Sequence, residues 1–111
     1  MSKETFFLAY LETAFFADMP EGAAPNAVMD DESLADMRET ANAFYDANQE
    51  DIESYCEGLE QAGHDLWFTQ QGHGCGYWEQ DDDVSKRLYK AAKLIPERWL
   101  GVADDGSLFI N

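Results

Sequence analysis

Positive charge is the scarcest property of this chain. Its 111 residues hold 7 Lys and Arg against 23 Asp and Glu, a formal net charge of −16. Such a balance excludes a protein that grips phosphates through net positive charge, and we expect no direct nucleic-acid binding. Cysteine is also scarce. Cys56 and Cys75 are too few for a disulfide framework and fit a reducing cytoplasm. Long apolar runs are missing: the longest uncharged one, Phe6 to Leu11, is far too short for a bilayer. Lys3 is followed at once by Glu4 and no apolar signal core comes after, so neither a secretory signal nor membrane contact is expected.

What is present points to a folded unit. Hydrophobic residues make up 45% and aromatics 14% of the chain, too many for a disordered acidic tail. No internal repeat or Ser/Gly linker divides it, so residues 1–111 are read as one acidic domain. The charge is uneven within it. Residues 1–83 carry 20 acids and 2 bases, whereas residues 84–111 carry 3 acids and 5 bases.

Periodicity predicts a helix over Lys3 to Ala17, capped by Ser2. Phe7, Tyr10, Leu11, Ala14 and Phe15 share one face, and Phe6 and Phe16 widen it enough to suggest deep burial. Residues 18–30, with Pro20, Gly22 and Pro25, read as a loop. A second helix runs from Asp31 to about Glu57, with Asp30 or Asp31 as its N-cap. Its apolar stripe is Leu34, Met37, Ala41, Phe44, Asn48, Ile52, Tyr55 and Leu59. Gly58 frays or kinks its end and Gly63 stops it. Asp65–Thr69 and Gly76–Trp78 read as two strands joined by a glycine-rich connection, with Trp67 and Trp78 both partly in the core. A short helix follows from about Asp82 to Leu94, ended by Pro96. The chain closes in a hairpin of Arg98–Val102 and Leu108–Ile110, turning on Asp105-Gly106. The expected fold is α+β: two N-terminal helices, a β-hairpin, a short helix and a C-terminal β-hairpin, with helices on one face of a small antiparallel sheet.

No motif specifies a reaction. His64, His73 and Cys75 could be imagined around zinc, with Cys56 or Asp65 as a fourth ligand, but their spacing fits no common zinc pattern. Cys75 near His73 resembles a nucleophile beside a base, yet acidic surroundings would raise its thiol pKa and keep it protonated. No D-x-[DN]-x-[DN]-G calcium loop occurs. The aromatics Trp67, Phe68, Tyr77 and Trp78 suit core packing better than base stacking. We therefore expect no cofactor, no metal and no enzymatic activity.

The charge pattern is more informative. On one continuous second helix, Glu39, Asp46, Glu50, Glu53, Glu57 and Glu60 would fall within roughly an 80° sector, nearly opposite the apolar stripe. Like charges at this spacing destabilise a helix. From Asp46 onwards the rise of about 4.5–6 Å per step is of the order of phosphate spacing along a nucleic-acid strand. A row of this kind could occupy a basic groove built for a phosphodiester backbone, with a solvated charged face as the ordinary alternative. The bases Lys86, Arg87, Lys90, Lys93 and Arg98 form a patch that we expect to be satisfied within a monomer.

Ala62 to Trp78 reads AGHDLWFTQQGHGCGYW. It resembles the segment AGHDFWLTRNGHGAGFWD of a widespread family of small, mostly uncharacterised proteins of tailed bacteriophages. The matching residues are Gly63, His64, Asp65, Trp67, Thr69, Gly72, His73, Gly74, Gly76 and Trp78. Phe6–Phe16, Leu34–Asn48 and Ala103–Phe109 match more loosely. The chain departs at Gln70 and Gln71, where the family has Arg-Asn, at Cys75 for Ala, and at Glu79 for Asp. The resemblance implies a phage product acting in the cytoplasm of the infected bacterial host. By analogy with other small acidic phage proteins, it implies an inhibitor of host defence: a DNA mimic with anti-restriction or anti-CRISPR action on a basic, nucleic-acid-binding surface. The alternatives are an assembly or accessory protein that binds through the aromatic hairpin, and a small metal- or thiol-dependent enzyme.

Overall fold

The computed structural model describes residues 2–111. It is α+β, with five helices and one two-stranded antiparallel sheet, but not in the expected order. Helix α1 spans Ser2–Asp18, so Ser2 lies inside the helix and does not cap it. Helix α2 spans Asp31–Ala47, and its N-cap is Asp30, whose carboxylate accepts from the Ser33 amide at 2.7 Å.

The long second helix is broken at Asn48. This residue leaves helical geometry (φ −129°, ψ 24°), and its amide Nδ2 donates to the Phe44 carbonyl at 2.9 Å. A short polar side chain competing for a helix carbonyl is a known breaker of the ladder. Helix α3, Gln49–Glu53, restarts at once and buries Ile52. A turn then buries Tyr55, and Gly58 at φ +95° precedes the next helix.

That next helix replaces the expected first hairpin. Residues Asp65–Thr69 belong to α4, Leu59–Gln70, and Gly76–Trp78 lead into a 3-10 turn at Tyr77–Glu79. A short apolar run such as Leu66-Trp67-Phe68 does not distinguish strand from helix. The buried set Ala62, Gly63, Leu66, Trp67 and Gln70 has helical spacing. Gly63 is no stop signal: a Cβ there would lie 2.5 Å from the Phe6 carbonyl oxygen and 2.8 Å from the Ala9 Cβ. Glycine lets α1 and α4 approach backbone to backbone. Helix α4 ends instead at Gly72 (φ +70°). The Gly72 amide bonds the Thr69 carbonyl, and the His73 amide bonds the Phe68 carbonyl. This is a Schellman ending, and the hydrophobic contact that accompanies it is the His73 ring edge-on to Phe68, centroids 5.7 Å apart.

Helix α5, Asp83–Ala92, is capped by Asp82, which accepts from the Ser85 amide at 2.8 Å. Strands β1 (Leu100–Val102) and β2 (Leu108–Ile110) form the expected C-terminal hairpin. Its other edge is held by residues 28–30: the Asp30 amide bonds the Leu108 carbonyl and the Leu108 amide the Val28 carbonyl, each at 2.8 Å. With only two strands, the sheet is no platform for the helices. The core lies among the helices and is aromatic. Phe6 stacks on Phe44, Phe44 on Tyr77, Tyr55 meets Tyr77 edge-on, and Tyr10 meets Trp67 edge-on. Trp67 is fully buried. Trp78 is 54% exposed and Phe16 86% exposed, against expectation in both cases.

Candidate functional site

The segment from Ala62 to Trp78 is held together by its own side chains. Asp65 is buried on α4. It accepts from the Tyr55 hydroxyl at 2.5 Å and from Gln61 Nε2 at 2.9 Å. Burial pushes its carboxyl above the usual range while those two donors pull it down, and Tyr55 is pushed up by burial and then by the carboxylate. The Thr69 hydroxyl accepts from the Tyr77 amide at 3.1 Å, and the Tyr77 hydroxyl donates to the Ala62 carbonyl at 2.6 Å. Gly76 sits at φ +134°, where a Cβ would come within 2.5 Å of Thr69 Oγ1. Gln70 is buried, accepting from the Tyr10 hydroxyl at 2.6 Å and donating to the Pro96 carbonyl at 3.0 Å. Gln71 exchanges two bonds with the Arg98 backbone. Asp18, at the end of α1, accepts from Trp67 Nε1 at 2.6 Å and from His73 Nε2 at 2.9 Å. His64 Nδ1 meets the Thr13 hydroxyl at 2.5 Å, so His64 and His73 serve different contacts.

The thiols are poorly placed for nucleophilic work. Burial, then the carboxylates of Glu79 and Asp65, push the Cys75 thiol up. Burial and Asp82 do the same to Cys56. Among the described residues, no group of three or more His, Cys, Asp and Glu is placed to hold a metal ion. Among them, too, no helix is long and apolar enough to cross a membrane.

The six acidic residues do not share one helix face. Glu39 and Asp46 are on α2, Glu50 and Glu53 on α3, Glu57 in the following turn, and Glu60 in the first turn of α4. All six are exposed. The break at Asn48 turns the expected line into a corner, where Asp46, Glu50 and Glu53 surround one shallow concavity. Asp46 pairs with Lys3 at 2.7 Å, and Glu53 accepts from the Tyr45 hydroxyl at 2.6 Å. Among the described residues, Glu39, Glu50, Glu57 and Glu60 have no basic partner.

Most bases are spent inside the chain. Arg87 makes a two-pronged contact to Asp51, both arms at 2.8 Å, and Arg98 makes one to Asp36, at 3.3 and 2.7 Å. Both carboxyls are held below their usual range by those guanidinium groups. Lys86 lies 3.3 Å from Asp81. Arg38 pairs with Glu4 and sits over the Phe7 ring, 4.3 Å from its centroid.

A second surface went unnoticed in the sequence. Helices α1 and α4 run side by side in the same direction, with Ala9 against Gly63, Thr13 against His64 and Asp18 against Trp67. Between their outer rows lie two adjoining concavities, about 290 and 180 Å³, that share Glu12 and His64. Exposed Leu8 and Phe16 border them. The sequence signal was there: Thr5, Leu8, Glu12 and Phe16 recur at helical spacing beside the core stripe. No family model, curated protein or solved structure matches the chain.

Proposed function

We propose that this is an acidic binding protein that occupies a basic, nucleic-acid-binding surface of a bacterial host protein and thereby inhibits it. The observation that carries this reading is the one-sided use of charge. The bases are largely consumed by Asp46, Glu4, Asp51, Asp36 and Asp81, while Glu39, Glu50, Glu57 and Glu60 stay exposed with no ion-pair partner among the described residues. Unpaired carboxylates of one sign steer a basic partner and make its binding salt-sensitive. The contact is a cornered patch and not a straight phosphate-like row. The resemblance of Ala62–Trp78 to tailed-phage proteins supports the setting, the cytoplasm of an infected cell. The exposure of Trp78 supports a second reading, a phage assembly contact through that aromatic.

Capture of partners from a bacterial lysate separates the two. The protein should retain a nucleic-acid-binding protein at low salt and release it as salt rises. A variant carrying Glu50→Lys and Glu57→Lys should bind it about tenfold more weakly, about 1.4 kcal/mol. A partner held equally well by the variant and at every salt concentration would overturn the acidic reading, and its loss on Trp78→Ala would favour the assembly contact.

A further inference from the structure

The groove between α1 and α4 has the chemistry of a docking site for a helix. Its lining includes the small, buried side chains of Ala9 and Thr13, beside the close approach of the two helices at Gly63. Leu8 is 50% and Phe16 86% exposed at its border, and Phe68 lines it from α4. From Leu8 to Phe16 the helix rises about 12 Å, the span of two turns of a facing helix. Exposed apolar anchors at this spacing are the pattern read by an amphipathic helix laid in a groove.

The polar groups fix the sign of the partner. Glu12 and Glu60 line the groove, and among the described residues no Lys or Arg does so. His64 adds a third acceptor. The Thr13 hydroxyl has one proton, and its 2.7 Å contact to the Ala9 carbonyl uses it. The 2.5 Å contact between Thr13 Oγ1 and His64 Nδ1 is therefore made by the ring N–H. In the neutral ring Nε2 is then an acceptor, without a partner among the described residues. Two carboxylates and an imidazole lone pair suit the N–H donors of Lys and Arg.

We propose that this groove binds a basic amphipathic helix of a partner protein, apolar side on Leu8, Phe16 and Phe68, Lys or Arg on Glu12, Glu60 and His64. This rests on the reading of a basic partner but assigns it to a surface apart from the α2–α3 corner. A second copy of this chain is a poor occupant. Its one basic helix, α5, already buries Leu88 and Ala92 in its own core, and two copies at −16 each repel.

Isotope-labelled full-length protein titrated with a designed Leu/Lys amphipathic helix of about 18 residues tests this. Two control peptides share its length, a scramble without an apolar face and a Gln-for-Lys version, and a third control holds no peptide. The expected result is amide shifts confined to Leu8–Phe16 and Glu60–Phe68, with affinity at least about tenfold weaker for the scramble, the Gln version, Phe16→Ser and Glu12→Lys. Both substituted residues are at the surface, so the fold should survive, and the amide spectrum reports it. Equal binding of the scramble, shifts centred on Asp46–Glu53, or no binding of the Leu/Lys peptide would each overturn the groove assignment. Concentration-dependent shifts at the groove without peptide would assign it to a second copy, and equal binding of the Gln version to an uncharged partner. Either result overturns the proposal. The protein with Glu50→Lys and Glu57→Lys should keep the peptide and lose the captured host protein only if the corner is a separate contact, so failure of one assignment is visible apart from failure of the other.

Discussion

At the residue scale, two tryptophans that look alike in sequence differ in what they do. Trp67 is fully buried, packs edge-on against Tyr10 and donates to Asp18. Trp67→Ala should cost about 3–5 kcal/mol in a denaturant titration, because it opens a cavity and strips Asp18 of a donor. Trp78 is more than half exposed, and Trp78→Ala should stay within about 0.5 kcal/mol of the parent. Equal losses for the two would mean that Trp78 is packed. Asp65 gives a prediction with a sign in pH. Burial holds its carboxyl above its usual range. A group with a raised folded pKa contributes stability that is complete below its unfolded value, about 3.9, and is lost as pH rises through the folded value. The stability of the parent relative to Asp65→Asn should therefore shrink as pH climbs from about 4 towards neutrality. Asp36 and Asp51, held low by their arginines, slope the other way, but they are common to both proteins and cancel. A gap that widens with pH would show that Tyr55 and Gln61 outweigh desolvation.

At the element scale, the units legible in the sequence were those whose signals are local. The Asp30 cap of α2 and the Asp105-Gly106 turn of the C-terminal hairpin could both be read from a few neighbouring residues. Helix α4 could not. Its defining residue, Gly63, is there because of Phe6 and Ala9, more than fifty positions earlier, and locally a glycine reads as a terminator. Asn48 concealed the opposite error, a polar residue in register with the apolar stripe that breaks the helix instead of joining its face. The six acidic residues are exposed, but their common face was a product of the unbroken helix. The groove was missed because Phe16 was assigned to the core. Gly63→Ala tests the account of α4. Helix propensity alone favours alanine by about 1 kcal/mol. A Cβ 2.5 Å from the Phe6 carbonyl must push α1 away, so we expect net destabilisation of about 1–3 kcal/mol by chemical denaturation. A stabilised variant would mean that the two helices are not in backbone contact.

At the scale of the whole molecule, the question is whether salt helps or harms the fold. Two electrostatic contributions oppose one another. The ion pairs of Lys3, Arg38, Lys86 and Arg87 are largely exposed, and pairs of that kind contribute little and are weakened by salt. Against them stands the mutual repulsion of the carboxylates left over in a chain of net charge −16. The molecule measures 44 × 28 × 21 Å. At about 0.01 M salt the screening length is about 30 Å, so carboxylates across most of the surface repel one another. At about 0.1 M it is about 10 Å, and only near neighbours do. The close pairs, at 2.7 to 3.3 Å where Lys3 and Lys86 meet their partners, lie well inside either length. Added salt therefore removes more repulsion than attraction, and the compact state gains relative to the unfolded chain, whose charges are already far apart. The melting temperature should rise between about 0.01 and 0.1 M sodium chloride and then flatten. Calorimetry at constant pH checks this, with light scattering at each salt concentration to hold the oligomeric state fixed. A melting temperature that falls across the same range would show that the ion pairs outweigh the excess negative charge, and that the unpaired carboxylates are too far apart to act together on a partner.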